Sequence, residues 1–341
     1  MSEDKANARA PGMEFDVVAQ AREWLTRGTP IALATVVETW GSSPRPAGSQ
    51  LVVDRDSHFV GSVSGGCVEG AVIETALAVI ESGESQQLEF GVTDEQAWEV
   101  GLACGGRIEV RVESGDEIVS ALAEDRDLRR PAVVLSWFDR NQQKLVHSPD
   151  ALDDPVLCDA VRDALASDVA RRVDVASGSV FVNPFNPPLR MLIVGAVHIA
   201  QELVPMAQRA GYEVTLIDPR AAFASQARFP GVQLVHKWPD AAIEAAAPDA
   251  RTAIITLTHD PKLDEPALER ALRSQVFYIG SLGSRRTHAK RLDRLRALGI
   301  QAAELDRIHA PVGLDIGARS PAEIAVSILA QVTQELRKRG R

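Results

Sequence analysis

Beyond residue 188 the chain repeats one pattern: a short apolar run, a turn, then a stretch with helical spacing. The apolar runs lie at 190–194, 212–217, 232–235, 252–257 and 276–279. Each is followed by a helical pattern, and residues 322–336 close the chain as a long amphipathic helix. Short unbroken apolar runs bounded by turns read as strands buried on both faces. Strands that alternate with helices pair in parallel, because each crossover helix carries the chain back to the same end of the sheet. The predicted fold class is therefore α/β, with this half a Rossmann-like, doubly wound parallel sheet.

The other half has a different rhythm. At 341 residues the chain is too long for one ordinary core. Asn183-Pro184-Phe185-Asn186-Pro187-Pro188 reads as a linker, since its prolines disfavour both helix and central strand. The predicted division is an N-terminal α/β cysteine-loop domain at 13–182, a linker at 183–188 and the Rossmann-like domain at 189–341. Residues 1–12 are polar and predicted disordered. Short strands are expected at 31–37, 50–53, 58–63, 87–92, 108–112 and 132–137, and helices at 15–25, 68–80, 118–125 and 153–165. The stretch 139–176 is weakly patterned, 179–182 is a last short strand, and the acids around Glu113 and Asp116 read as a solvated turn.

The centre of this half is Gly61-Ser62-Val63-Ser64-Gly65-Gly66-Cys67-Val68-Glu69-Gly70. A strand runs into the glycine pair Gly65-Gly66, and a helix starts at once. Cys67 then sits at a helix N-terminus, where free N–H groups and the helix dipole suit an anion and favour thiolate over thiol. A tight turn with a small buried cysteine is the plainer alternative. Cys104 lies between glycines in the same way, in Gly101-Leu102-Ala103-Cys104-Gly105-Gly106. The two loops together suggest one pocket lined by sulfur and N–H groups, to which Ser42 and Arg45 add a hydroxyl and a charge. Cys158, in an apolar helical pattern, reads as core.

Three cysteines without a CxxC motif build neither a disulfide framework nor a structural zinc site. The net charge of −10 argues against nucleic acid or an anionic membrane as partner. No apolar run is long enough for a membrane span, and no secretory leader is visible, so a cytoplasmic location is expected.

The Rossmann-like half carries an altered dinucleotide fingerprint. Gly195 and Ala200 hold the first and third positions of G-x-G-x-x-G/A, but Val197 replaces the glycine that lets backbone approach a pyrophosphate. Asp218 ends the next strand, where an acid would hold a ribose hydroxyl. An altered or idle nucleotide site stands beside ordinary NAD binding. Thr258-His259-Asp260, with Asp264, lies at a strand's C-terminal end. It reads as acid–base or metal chemistry through His259, or as a helix cap through Asp260. Gly280-Ser281-Leu282-Gly283-Ser284-Arg285-Arg286 makes an anion cradle through Ser284 and Arg285, or an ordinary helix start. Ser320-Pro321-Ala322-Glu323 is a capping box.

Taken together, these motifs resemble the XdhC/CoxI family. Gly41-Ser42-Ser43-Pro44-Arg45, the Cys67 loop and the Cys104 loop are similar to its N-terminal domain. Asp218-Pro219-Arg220, Thr258-His259-Asp260, 280–285 and 311–327 are similar to its C-terminal Rossmann domain. The resemblance spans about 24 to 334. It implies a maturation factor that binds molybdenum cofactor, as molybdopterin or its dinucleotide form. Such a factor protects the cofactor while a terminal oxo ligand is exchanged for sulfido and helps insert it into a molybdenum hydroxylase. The implied partners are a cysteine desulfurase and the apo hydroxylase, and a homodimer is the ordinary expectation for a soluble chain. By similarity Cys67, then Cys104, holds the cofactor: a soft sulfur suits molybdenum and a helix N-terminus suits the pterin phosphate. The family's Gly-x-Gly-His is Gly195-Ala196-Val197-His198 here, and its frequent acid late in the last helix is Gln331. Two rivals remain at this point. One is an NAD(P)-dependent oxidoreductase with Asp218 on the ribose and His259 as acid–base group; the other is a non-catalytic subunit that docks through its closing helix.

Overall fold

The structure is a computed structural model that describes residues 16–41, 43, 45–91, 106–139 and 142–338. The chain divides into two compact units, one ending at Pro187 and the next starting at Pro188.

In the first unit α1 (Val17–Thr26) is capped by Asp16, whose carboxylate accepts from the Ala19 N–H at 3.1 Å. There follow β1 (Ile31–Trp40), β2 (Gln50–Asp54), β3 (Phe59–Gly61), α2 (Glu69–Ser82), β4 (Gln86–Phe90), β5 (Arg107–Ser114) and α3 (Asp116–Asp127). The five strands form an antiparallel sheet in the order β3-β2-β1-β5-β4. Period-two alternation in β1 decides what each face covers. Ala32, Ala34 and Val36 pack under α2 with Val72, Ala76 and Val79. Ile31 and Leu33 pack on the other face with Ala21 and Trp24 of α1 and Val119 of α3.

A second antiparallel sheet is built from β6 (Ala132–Trp137), β7 (Gln142–Val146), β8 (Arg171–Val175) and β9 (Gly178–Phe185), with α4 (Pro155–Ser167) against it. Its order is β7-β6-β9-β8. The weakly patterned stretch thus holds two strands as well as the expected helix. Both are edge strands, and edges carry the charged residues that blur an apolar signal. The expected linker also begins too early. Asn183, Pro184 and Phe185 are the end of β9, paired with Val134, Val133 and Ala132. Pairing to β8 stops at Val182, so Pro184 lies where β9 has only one neighbour, a place a proline tolerates. Glu113 is not in a solvated turn either. It is buried in β5, where its carboxylate accepts from Arg111 Nε at 2.7 Å. Cys158 is half-buried rather than core, with Sγ 3.3 Å from the Leu152 carbonyl oxygen.

The second unit runs β10 (Leu189–Val194), α5 (His198–Arg209), β11 (Tyr212–Ile217), β12 (Gln233–Val235), α6 (Pro239–Ala246), β13 (Thr252–Thr256), α7 (Pro261–Leu272), β14 (Tyr278–Ser281), α8 (Arg285–Ala297), α9 (Ala302–Leu305), β15 (Ile308–His309) and α10 (Pro321–Lys338). The six strands are all parallel, in the order β12-β11-β10-β13-β14-β15. Counted from the first strand of the unit this is 3-2-1-4-5-6, the Rossmann order, with its switch point between β10 and β13. Met191 and Ile193 face α5 and α10, while Leu192 and Val194 face α6 and α7. Burial on both faces is why these strands read as plain apolar runs. Ala325, Ile328 and Val332 of α10 belong to this core, so the apolar face of the closing helix is already occupied.

Candidate functional site

The turn between β3 and α2 displays Cys67 on its outside. Cys67, Gly65 and Gly66 are exposed, and both glycines have positive φ (83° and 115°). Arg45 comes to this turn, with Nε 3.4 Å from the Ser62 carbonyl oxygen. The N–H groups expected to be open for an anion are taken by the protein itself. Glu69, the first residue of α2, folds its carboxylate back into the turn. Its Oε1 accepts from Ser62 Oγ (2.7 Å), Ser64 N (3.0 Å) and Gly65 N (3.1 Å), and its Oε2 accepts from Gly66 N (2.8 Å). Ser64 Oγ donates to the same carboxylate and accepts from the Cys67 and Val68 N–H groups at 3.0 and 3.1 Å. Burial pushes the Glu69 carboxyl up, but the hydrogen bonds from Ser64 and Ser62 outweigh it and hold the pKa at about 2. The turn is thus a pre-filled anion nest that fixes the backbone on which Cys67 sits. Sequence reasoning gave Glu69 no role. The signal was there: an acid in the first helical turn directly after serines and glycines.

Cys104 and Ser42 lie outside the described residues. Arg45, Gly65, Gly66 and Cys67 are brought together; the remaining candidates belong to the second unit.

There the candidates gather along the C-terminal edge of the parallel sheet. Gly195 has φ 111°, and a Cβ on it would come within 2.5 Å of Thr258 Cγ2, so glycine is needed where β10 meets β13. Val197 is the N-cap of α5 at φ −93°, and His198 is exposed in the first turn. Asp218 is fully buried. Its oxygens accept from Ala196 N (2.9 Å), Arg220 N (3.0 Å), Arg220 Nε (2.9 Å) and Arg220 Nη2 (2.7 Å). Burial alone would raise this carboxyl; the Arg220 and Ala196 hydrogen bonds hold it below its usual value. Both oxygens therefore clamp the β10 and β11 turns to each other.

His259 is exposed and has φ 63°, a left-handed conformation uncommon outside glycine, asparagine and aspartate. Asp260 caps α7, accepting from Lys262 N at 2.9 Å. Thr258 Oγ1 accepts from Asp260 N at 3.1 Å and donates to Asp264 Oδ1 at 2.6 Å. Asp264 and Arg291 are buried, with Asp264 Oδ2 3.5 Å from Arg291 Nη2. Ser284 caps α8 by accepting from Thr287 N at 3.2 Å, and Arg285 beside it is exposed. The capping box is formed: Glu323 accepts from Ser320 N at 2.9 Å, and Ser320 Oγ from Glu323 N at 3.2 Å. Gln331 accepts from the Tyr278 hydroxyl (2.6 Å) and Gly313 N (2.8 Å), tying α10 to β14 and the loop after β15. Arg291 was missed because a basic residue in a basic helix carries no sequence mark of burial.

The XdhC and CoxI family model matches residues 24–91, and the XdhC Rossmann domain model matches residues 191–332. Over 92% of this chain and 85% of the relative, 32% of residues are identical to the Escherichia coli K12 protein named molybdenum cofactor insertion chaperone PaoD. The chain belongs to the XdhC and CoxI family. Another relative, from Bacillus subtilis 168, is named as a probable xanthine dehydrogenase subunit; it is 26% identical over 89% of this chain and 92% of that one. A solved structure described as a xanthine dehydrogenase from Bacillus halodurans matches with a TM-score of 0.72 at 23% identity, covering 94% of this chain and 96% of that one, and speaks for the fold. The family match at 24–91 contains the whole Cys67 turn with its Glu69 lock. The match at 191–332 contains the whole Rossmann edge, including the altered Gly195-Ala196-Val197-His198 turn.

Proposed function

We propose that this chain carries molybdenum cofactor as cargo, shields it while its terminal ligand is exchanged for sulfur, and hands it to an apo molybdenum hydroxylase. The observation that carries the reading is kinship with the insertion chaperone PaoD along 92% of the chain. The geometry fits. Cys67 offers a soft donor suited to molybdenum or to a persulfide, at the surface where a cargo can be collected and released. The Glu69 lock holds that donor on a fixed backbone, so less conformational freedom is lost on binding. Because the N–H groups of residues 64–68 are already used, the loop is not an open nest for a cargo phosphate; Cys67 sulfur, with Arg45 beside the turn, is what this loop offers.

In this reading a cysteine desulfurase supplies the sulfur and the hydroxylase receives the product. Both would be met in the cytoplasm, and no helix among the described residues is long and apolar enough to cross a membrane. The cargo is molybdopterin or its dinucleotide form, and a homodimer is the simplest assembly. The dehydrogenase alternative is disfavoured. Asp218 would have to give up Arg220 to hold a ribose, and Val197 stands where a pyrophosphate needs bare backbone.

The test is cofactor content. The protein purified from cells that make molybdenum cofactor should contain molybdenum and pterin, and Cys67→Ala should retain less than about a tenth as much, the loss of one strong ligand contact. The variant should fold normally, because Cys67 is exposed. Equal retention by the variant removes Cys67 from the site. A nicotinamide cofactor in place of pterin returns the oxidoreductase.

A further inference from the structure

At the standard nucleotide position of the Rossmann unit, over the turn after β10, Val197 replaces the usual glycine and Asp218 is already clamped by Arg220. The other side of the crevice is built differently. Asp264 and Arg291 are 1% and 2% exposed and form an ion pair, Asp264 Oδ2 lying 3.5 Å from Arg291 Nη2, while Arg291 Nη1 has no hydrogen-bond partner among the described residues. Nδ1 of His288, in the first turns of α8, is in the same condition. Buried polar groups are nearly always satisfied, so a buried guanidinium nitrogen left open marks an incomplete site.

Their position is specific. Arg291 Nη2 donates to the Leu282 carbonyl at 3.0 Å and lies 3.6 Å from where a Cβ of Gly283 would be, so the guanidinium sits directly beneath the β14–α8 turn. Above it Gly283 (φ 139°), Ser284 and Arg285 open α8, whose first N–H groups point out of the helix. Beside it, Asp264 holds Thr258 and so keeps His259 in its left-handed conformation with the side chain outside. His198, His259, Lys262, Arg285 and Arg286 are all exposed near this edge. Against them stands Asp260, whose carboxylate caps α7. In a chain of net charge −10, Lys262, Arg285 and Arg286 make a local cationic rim.

We propose that this crevice binds a phosphate-bearing ligand over the β13–α7 and β14–α8 turns. His259, Arg285 and the α8 N-terminus touch it, and Arg291 is the positioning residue beneath. The site is displaced by one to two strands from the usual pyrophosphate position. Strain at His259 is the kind of cost retained where a side chain must be aimed at a ligand. A helix N-terminus with an arginine beside it and another below supplies the complement of a phosphate. The assignment does not depend on the cargo of Cys67, which lies in the other unit.

The experiment is calorimetric titration of the full-length protein with inorganic pyrophosphate and, separately, with adenosine diphosphate as a general nucleotide probe. Wild type should bind both at low ionic strength and lose affinity as salt is added. Tighter binding of the nucleotide assigns a nucleotide ligand, and equal binding assigns the diphosphate alone. Arg285→Ala should weaken binding about tenfold, as expected for one charge-assisted contact. His259→Gly should weaken it while the melting temperature holds or rises, because glycine relieves the strain. Arg291→Met should abolish binding and Arg291→Lys should restore part of it. If Arg291→Met fails to fold, the two exposed positions still decide. Absence of binding by wild type, or unchanged affinity in both Arg285→Ala and His259→Gly, overturns the proposal whatever the cofactor content shows.

Discussion

Glu69→Gln is expected to lower the unfolding free energy by about 3 kcal/mol at neutral pH, with the loss confined to mildly acidic and neutral solutions. The carboxylate accepts from two hydroxyls and from the N–H groups of Ser64, Gly65 and Gly66. An amide of the same shape has one acceptor oxygen and turns its NH2 toward donors. The direction with pH follows from the carboxyl being held at about 2 in the folded chain, well under its unfolded value. Such a group stabilises the fold fully above its unfolded pKa and loses that contribution as pH falls toward the folded pKa. The gap between wild type and variant should therefore be constant above about pH 5 and close steadily below it. Urea melts across that range measure it: coincident curves would show that the nest contributes nothing, and a constant offset would show that the loss does not come from the carboxylate's charge. Because Cys67 N and Val68 N hang on Ser64 Oγ, which itself donates to Glu69, the variant should also speed alkylation of Cys67 by loosening its turn.

How far the sequence foretold this depends on where a residue's energy comes from. β10, β11, β13 and β14 were legible because strands buried on both faces are apolar throughout, as Leu192 and Ile193 show by facing opposite cores. β7 and β8 were not, because an edge strand answers to solvent on one side, and Arg171 and Lys144 there read as loop. Cys67 could be placed at a helix start from spacing alone. What fills that start could not, because Glu69 satisfies the turn through a return of its own side chain, which no periodicity records. The same holds for Asp218, expected to wait for a ribose and found clamped by Arg220, two residues along. Local side-chain closure is the recurrent surprise: polar groups at strand ends look like open binding equipment until their neighbours' donors are counted.

Asp264→Ala should be the most damaging single change in the Rossmann unit, at about 3–5 kcal/mol, because it leaves the Arg291 guanidinium buried without its countercharge. Asp264 also accepts from Thr258 Oγ1 and N, so its removal frees the turn that carries His259. The pair itself is not a source of much net stability. Burial pushes the Asp264 carboxyl above its usual value, with the Thr258 hydroxyl and Arg291 pulling it back only in part. The linkage sign is therefore opposite to that of Glu69. The unfolded chain releases this proton first, so the Asp264 contribution falls as pH rises from the unfolded pKa through the raised folded one. A buried ion pair of this kind is replaced by apolar residues at little cost. The double variant Asp264→Leu with Arg291→Met should accordingly recover most of the stability lost in Asp264→Ala. Native-state hydrogen exchange at the β13 and α7 amides reads this unit apart from the other. A double variant no more stable than Asp264→Ala would mean that the pair is a net structural asset. Recovery of stability without recovery of pyrophosphate binding would separate the two roles, leaving the charges retained for the ligand and the packing for the fold.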